Sequence, residues 1–219
     1  MIADNLRNIK ASLPEGVALV AVSKFHPVER LMEAYDAGQR IFAESRPQEF
    51  AAKVPLMPSD IEWHFIGHLQ TNKLKLVLPY ASLVESVDSR HLLESISSWG
   101  SAAGKVIDML LEVHISHDEA KQGFSPDEIP ALIEALPGLP GVRVRGLMAM
   151  ASLTGDIDLI DTEFSAVRRL FDDIRTAHPE LCDHLNVLSM GMSSDWRIAI
   201  RHGATEVRIG TDIFGPREY

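Results

Sequence analysis

Residues 17–24 read VALVAVSK, a continuous apolar run that ends in serine and lysine. A β-branched apolar run closed by polar residues is typical of a strand in a parallel sheet whose two faces are both covered. The run therefore predicts the first strand of such a sheet. Similar runs recur along the chain, at residues 40–43, 63–66, 82–87, 106–115, 142–148, 185–190 and 205–210.

Segments with helical periodicity lie between these strands. The clearest runs from Ile157 to Ile174, where apolar residues at three- and four-residue spacing form one stripe. We predict further helix starts at Asp88, Ser125 and Ser193, and Ser125 is followed by a proline and a capping-box glutamate. Pro130 comes late for a first turn, so we expect the helix after Ser125 to begin irregularly.

Eight strands that alternate with helices fit either a closed (β/α)8 TIM barrel or an open, doubly wound sheet. The open dinucleotide-binding sheet carries GxGxxG directly after its first strand, whereas residues 23–27 (SKFHP) contain no glycine. We therefore predict an α/β fold with a single TIM-barrel domain over residues 1–219. In such a barrel, the loops after the carboxyl ends of the strands build the active site.

The composition narrows the class of protein. The chain has 219 residues, of which 46% are hydrophobic and 24% charged, values that favour a globular domain over a disordered or coiled-coil chain. A net charge of −10 argues against sequence-independent binding of nucleic acid or of an anionic membrane. No apolar run approaches the ~18 residues of a membrane span. The single cysteine and the absence of a signal-peptide pattern at residues 1–10 predict a cytoplasmic protein.

Two basic residues at strand ends could carry chemistry. Lys24 ends the first strand, where its amine would reach the barrel mouth. A lysine that loses its proton in an apolar pocket can attack a carbonyl and form a Schiff base, although a lysine that only extends to solvent fits the same pattern. Arg208, on the last strand, could donate a hydrogen bond to a pyridine nitrogen, or could pair with Glu206 or another carboxylate.

Two loops are predicted to bind an anion. Ser193 and Ser194 follow the seventh strand in residues 189–195 (SMGMSSD), and Gly210 and Thr211 follow the eighth. In barrels these two loops frequently hold phosphate, although helix capping by the serines and a turn at the glycine would explain the same residues. A phosphate site beside a lysine suggests pyridoxal 5′-phosphate (PLP) as the cofactor.

His64 and His68 could suggest a metal site. Their four-residue spacing falls on a strand that runs into a glycine turn rather than on a helix, and no third ligand stands out. We therefore predict no metal site. We interpret these residues, together with His114 and His117, as surface or hydrogen-bonded histidines.

Taken together, these stretches resemble the pyridoxal phosphate homeostasis proteins, also called the YggS or PROSC family. The similarity covers almost the whole chain, and its stretches occur in the family's order. They are residues 21–24 (AVSK), 63–73 (WHFIGHLQTNK), 146–148 (GLM), 188–195 (LSMGMSSD) and 207–219 (VRIGTDIFGPREY). The resemblance implies a fold-type III barrel like the N-terminal domain of alanine racemase, without the second domain of the racemase.

The resemblance also implies roles for single residues. Lys24 falls on the family's Schiff-base lysine, and Arg208 falls on the arginine near the pyridine nitrogen. The phosphate-binding stretches of the family correspond to Ser193, Ser194, Gly210 and Thr211. Ser45 stands where the family pattern has an asparagine, so we include it among the cofactor-binding residues as a departure from that pattern.

The function implied by the resemblance is PLP binding and PLP homeostasis without evident catalytic turnover, with PLP-dependent apoenzymes as candidate partners. The residues agree with this interpretation. Racemisation needs an acid or base on each face of the substrate carbanion, and only Lys24 is an obvious candidate. An arginine at the ring nitrogen would also weaken the ring as an electron sink.

Two enzymatic alternatives stay open. An amino-acid racemase would take its second base from a partner subunit or from a histidine such as His68, and a Schiff-base aldolase would bind a sugar phosphate instead of PLP. The resemblance and the missing second domain favour a monomer.

Overall fold

The computed structural model describes residues 1–116 and 122–216, and these form a closed barrel of eight parallel strands in the order β1 to β8. Pairing of β1 with β8 closes the barrel, with Ala18 opposite Glu206 and Ala21 opposite Ile209. The strands are Ala18–Val22 (β1), Ile41–Glu44 (β2), Glu62–Phe65 (β3), Leu83–Val87 (β4), Ile107–Val113 (β5), Val142–Ala149 (β6), Val187–Met190 (β7) and Glu206–Ile209 (β8). The predicted TIM barrel is confirmed, and each predicted strand lies within two residues of an observed one.

Helices surround the barrel and connect successive strands. They are Ile2–Ser12 (α1), Val28–Asp36 (α2), Pro47–Lys53 (α3), Leu74–Val77 (α4), Arg90–Ala103 (α5), Ile129–Ala135 (α6), Ile157–Ala177 (α7), Trp196–Arg201 (α8) and Thr211–Phe214 (α9). Short 3-10 turns occur at Val54–Leu56, Thr71–Lys73, Pro126–Glu128, Leu136–Gly138 and Pro179–Leu181. Among the described residues, no helix combines the length and the apolar character that crossing a membrane requires.

Alternate residues of each strand face the helices and the barrel interior, because side chains alternate along a strand. The outward side chains join the helices in one large apolar core that includes Phe42, Phe65 and Phe164, all fully buried. Among the described residues, a second and smaller apolar cluster of Leu83, Leu110 and Met148 is separate from this core. The barrel interior also contains many polar groups. Its buried side chains include His64, Glu85, Glu112, Ser189, Glu206 and Arg208.

Two of the predicted helix starts are wrong. The cap of α5 is Ser89, one residue later than predicted, and its hydroxyl accepts a hydrogen bond from the Leu92 N–H. The Asp88 carboxylate is instead bonded to His68. Ser193 also lies too early, since α8 begins after Asp195.

The start predicted at Ser125 is confirmed. Ser125 and Glu128 form the capping box, and a 3-10 turn precedes α6. Pro130 at the start of α6 explains this irregular entry, because a proline donates no backbone hydrogen bond.

Candidate functional site

Lys24 lies two residues beyond the end of β1, at the carboxyl end of the barrel, and is half-buried. The backbone around it is held by hydrogen bonds. The Ser23 N–H donates to the Ala43 carbonyl at 2.9 Å, and the His26 N–H donates to the Ser23 carbonyl at 3.1 Å. Lys24 therefore sits in a short turn that is tied to the neighbouring strand.

Phe25, the residue after Lys24, adopts a left-handed conformation with φ +69°. For a residue other than glycine this conformation costs about 1–2 kcal/mol, so its neighbours must impose it. The Phe25 N–H donates to Glu49 Oε1 at 2.8 Å, and the Arg46 guanidinium lies 4.3 Å from the centre of the Phe25 ring. These contacts hold the turn that carries Lys24.

A buried ionic cluster contacts the same turn and stabilises it. Lys53 Nζ donates to Glu44 Oε1 at 2.7 Å, to Glu49 Oε1 at 2.6 Å and to the Ser23 carbonyl at 2.9 Å. The Ser23 hydroxyl donates to Glu44 at 2.6 Å. Burial raises the pKa of Glu44, and the nearby Lys53 ammonium and Ser23 hydroxyl oppose this rise without cancelling it.

Replacing Lys53 with methionine should destabilise the protein strongly. The change leaves the Glu44 carboxylate buried without its cation, which typically costs about 3–5 kcal/mol in the free energy of unfolding. Urea unfolding measures the loss, with Lys105→Met, at an exposed lysine, as the matched control. Folding raises the pKa of Glu44, so ionisation of Glu44 lowers the stability of the folded protein as pH rises through that pKa. The stability difference between Lys53→Met and the wild type should therefore shrink in acid, where Glu44 is neutral. A loss no larger than that of the control would contradict the prediction.

Arg208 extends from β8 into the barrel interior and is only 3% exposed. Its Nη1 donates to the Ser189 hydroxyl at 2.6 Å, and its Nη2 donates to the Ala149 carbonyl at 2.9 Å. Nη1 also lies 3.7 Å from Glu85 Oε2, so the nearby carboxylate is Glu85 rather than Glu206. No described residue accepts a hydrogen bond from Arg208 Nε. The Nε–H of this anchored guanidinium thus remains available to a ligand.

The histidine interpretation is confirmed for two residues. His64 Nδ1 is 2.8 Å from Glu85 Oε1 and 3.6 Å from Glu206 Oε1, and His68 Nδ1 is 2.9 Å from Asp88 Oδ2. The expectation that no third ligand lies near His64 is wrong, because closure of the barrel brings Glu85 and Glu206 beside it. His117 lies outside the described residues.

The charges around His64 favour an ion pair over metal coordination. Burial lowers the pKa of His64, but the negative charges of Glu206 and Glu85 and the hydrogen bond between His64 and Glu85 outweigh burial and raise the pKa to about 10. His64 is therefore protonated at neutral pH, and a protonated imidazole does not bind a metal.

The two predicted anion loops lie next to each other. The Arg208 N–H at the end of β8 donates to the Gly191 carbonyl in the loop after β7, at 2.9 Å. Gly210 packs against the end of β1, where an added Cβ would lie 3.1 Å from the Val22 carbonyl oxygen. This contact places the loop that begins at Gly210 close to the turn that carries Lys24.

The hydroxyl groups of these loops differ in their hydrogen bonds. Ser194 donates to Asp195 Oδ2 at 3.2 Å, and Asp195 Oδ1 accepts from the Met192 N–H at 2.7 Å, so Asp195 orders the loop. Within the described part of the chain, the hydroxyls of Ser193 and Thr211 make no hydrogen bond. Thr211 also begins α9, where the first N–H groups lack intrahelical acceptors. These groups can bind an anion.

Ser45 follows β2, the strand beside β1. Val22 pairs with Ala43, so Ser45 and Lys24 each lie two residues beyond a paired position. The carbonyl of Ser45 packs on Gly67, where an added Cβ would lie 2.0 Å from that oxygen. The register brings Ser45 to the same mouth as Lys24, with a shorter side chain than asparagine.

Several residues of the site were not found from the sequence. Glu85 and Ser189 support Arg208, and Glu49 and Lys53 support the turn at Lys24. A signal was present for Glu85, because a charged residue within the apolar run 83–87 must face a polar partner if it is buried.

Comparisons with known proteins agree with this geometry. The family described as "Alanine racemase, N-terminal domain" matches residues 1–218. A pyridoxal phosphate homeostasis protein of Schizosaccharomyces pombe is 39% identical over 206 residues, which cover 92% of this chain and 84% of that protein. Two structures of PipY from Synechococcus elongatus, one without PLP and one with PLP bound, are each 37% identical. Their TM-scores are 0.93 and 0.90, and each match covers 98% of this chain and 100% of PipY.

Proposed function

This chain belongs to the family of pyridoxal phosphate homeostasis proteins, and on that premise we propose that it binds PLP through Lys24 and takes part in PLP homeostasis. The observation that carries the proposal is the arrangement at the mouth. Lys24 lies close to the loop at Gly210, and Arg208 is anchored by both Nη atoms while its Nε has no acceptor among the described residues. A phosphorylated pyridine aldehyde matches these three features.

Each residue has a distinct part in this proposal. Lys24 Nζ would hold the cofactor by condensing with its aldehyde carbon, with release of water, and Arg208 Nε would donate to the pyridine nitrogen. The phosphate is held by Ser193, Ser194, Gly210 and Thr211. Ser45 contacts the cofactor from the neighbouring strand. Bound PLP would supply an aldehyde that captures primary amines and a ring that withdraws electrons from the captured carbon.

We propose that the loaded protein does not turn over amino acids at a useful rate. An arginine guanidinium does not readily give up a proton, so Arg208 would donate a hydrogen bond to the ring nitrogen without protonating it. An unprotonated ring withdraws electrons less strongly than a protonated one. The names of the relatives, which refer to homeostasis rather than to a reaction, support this proposal.

Amino-acid racemisation is a second candidate function, and Glu112 on β5 is the observation that favours it. Burial raises the pKa of Glu112 to about 7, with Asp88 adding to the rise, while the charges of Arg208 and His68 oppose it. A carboxyl group that titrates near neutral pH can serve as a general acid or base. Glu112 is thus a candidate for the second acid or base that the sequence did not reveal.

The absorption spectrum and a product assay test both functions. The purified protein mixed with PLP should keep a visible absorption band through gel filtration and lose it on borohydride treatment. Adding amino acids should shift the band without racemised, decarboxylated or transaminated product, because a missing acid or base typically costs ~10²- to 10⁴-fold in proton transfer. Multiple turnovers that disappear in both Lys24→Ala and Glu112→Gln would establish the racemase instead. A colourless protein that binds a sugar phosphate would establish the aldolase.

We further propose that the chain acts as a single-domain monomer in the cytoplasm and passes PLP to PLP-dependent apoenzymes. Reactivation of an apo-aminotransferase by the loaded protein, followed over time, tests the transfer. Reactivation no faster than that caused by PLP escaping into solution would count against a direct partner role.

A further inference from the structure

The barrel interior contains a continuous hydrogen-bonded chain of four side chains, which we call the interior chain: His64, Glu85, Ser189 and Arg208. His64 Nδ1 is 2.8 Å from Glu85 Oε1, the Ser189 hydroxyl donates to Glu85 Oε2 at 2.6 Å, and Arg208 Nη1 donates to the Ser189 oxygen at 2.6 Å. The four residues come from β3, β4, β7 and β8. The interior chain therefore connects strands that are far apart in sequence.

Every member of the interior chain is buried, with exposures of 4% or less. Burying charged groups costs free energy, and apolar residues of similar size often serve stability equally well. This barrel uses such residues elsewhere in its interior, at Leu83, Leu110 and Met148. A role in stability alone does not account for the interior chain.

The direction of the hydrogen bonds is set by Glu85. A serine hydroxyl has one proton, and Ser189 gives it to Glu85, so its oxygen is left to accept from Arg208. This order requires that both oxygens of Glu85 accept hydrogen bonds. Burial raises the pKa of Glu85, but His64 and Arg208 outweigh burial and lower it, which keeps the carboxylate ionised.

We propose that Glu85, acting through Ser189, is a positioning residue that fixes the Arg208 guanidinium so that its Nε–H points at the ring nitrogen of the bound cofactor. This inference rests on the proposed function. Nη1 is held by Ser189 and Nη2 by the Ala149 carbonyl, so the planar group has no freedom to rotate. The direction of the remaining Nε–H donor is then determined by the protein rather than by the ligand.

Glu85→Gln tests the proposal, because the change keeps the shape of the side chain and removes its ability to accept from both partners. An amide has one accepting oxygen and one donating nitrogen, so it cannot accept from both protonated His64 and Ser189, and the order of donors and acceptors along the interior chain is broken. Glu163→Gln is the matched control. Glu163 is also buried and accepts hydrogen bonds on both oxygens, from the Ser152 N–H at 2.7 Å and from the Ser152 hydroxyl at 2.6 Å, but it lies on the outer helix α7, away from the interior chain.

The measurement compares the affinities of PLP and of its 1-deaza analogue, in which a CH group replaces the ring nitrogen. Both ligands carry the aldehyde and the phosphate, so damage to the fold weakens both alike. Their affinity ratio reports the contact between Arg208 and the ring nitrogen. For a hydrogen bond from a charged donor we expect the wild type to prefer PLP by about tenfold to a hundredfold.

Glu85→Gln should bring this ratio close to one, and Glu163→Gln should leave it at the wild-type value. If Glu85→Gln does not fold, Ser189→Ala removes the bridging hydroxyl with a smaller change and should lower the ratio in the same way. A wild-type ratio in Glu85→Gln or Ser189→Ala overturns the proposal, as does a ratio of one in the wild type. Failure of the wild type to bind PLP at all would overturn the proposed function itself.

Discussion

Replacing Lys24 with alanine should abolish the covalent attachment of PLP that borohydride reduction produces in this protein. Borohydride reduces a Schiff base to a stable amine, so the reduced protein carries the cofactor only where an imine had formed. Lys24 is the lysine that follows β1 at the carboxyl end of the barrel, in a turn held by Ser23, Glu49 and Lys53. The predicted phosphate loops remain in the variant, so we expect weaker, non-covalent binding to persist.

Peptide mapping of the reduced protein identifies the modified residue. Lys73→Ala is the matched control, because Lys73 is a half-buried lysine in the segment after β3 and should not affect the attachment. Modification of Lys73 or of any other lysine in the wild type would overturn the assignment of Lys24. Equal loss of attachment in both variants would show that the effect is not specific to Lys24.

Pyridoxal without its phosphate should bind at least ~100-fold more weakly than PLP. Each hydrogen bond to a charged group contributes about 1.5–3 kcal/mol, so the loss of two costs about 3–6 kcal/mol. Since about 1.4 kcal/mol corresponds to a factor of ten, this loss exceeds a hundredfold in affinity. We expect the hydroxyls of Ser193 and Thr211 to make these bonds. Neither hydroxyl has a hydrogen-bond partner among the described residues.

Single substitutions locate this effect. Thr211→Ala should weaken PLP while leaving pyridoxal almost unchanged, because only PLP has the phosphate that the hydroxyl would contact. Thr176→Ala is the control, since the Thr176 hydroxyl donates to the Asp172 carbonyl on the outside of α7. Equal affinities of the wild type for PLP and pyridoxal would remove the basis for an anion site in these loops.

Much of the fold and part of the site follow from local sequence. A parallel strand covered on both faces needs a short apolar run, so the eight strands could be found from runs such as residues 17–24. Barrel topology brings the carboxyl ends of all strands to one mouth, so residues that follow those ends could be grouped before the structure was known. Lys24, Thr211 and Ser193 are of this kind.

Where two neighbouring residues could fill the same structural role, the tertiary structure decided which of them does so. Asp88 and Ser89 can both cap a helix, and in the structure Ser89 caps α5 while the carboxylate of Asp88 is bonded to His68. His68 lies 20 residues earlier in the chain. Local sequence contains no information about that contact, so the cap could not be assigned from it.

The sequence by itself determined a TIM barrel with, at one end, a lysine and two loops that we predict to bind an anion, because strand periodicity and strand ends are local properties. The partners of the buried polar groups were decided only by barrel closure and strand register. Ser189 and Glu85 are 104 residues apart, and Lys53 lies 30 residues after Ser23, yet both pairs are in direct contact. A buried charge must find its partner across the interior, and which side chain meets it depends on how the eight strands are aligned around the barrel.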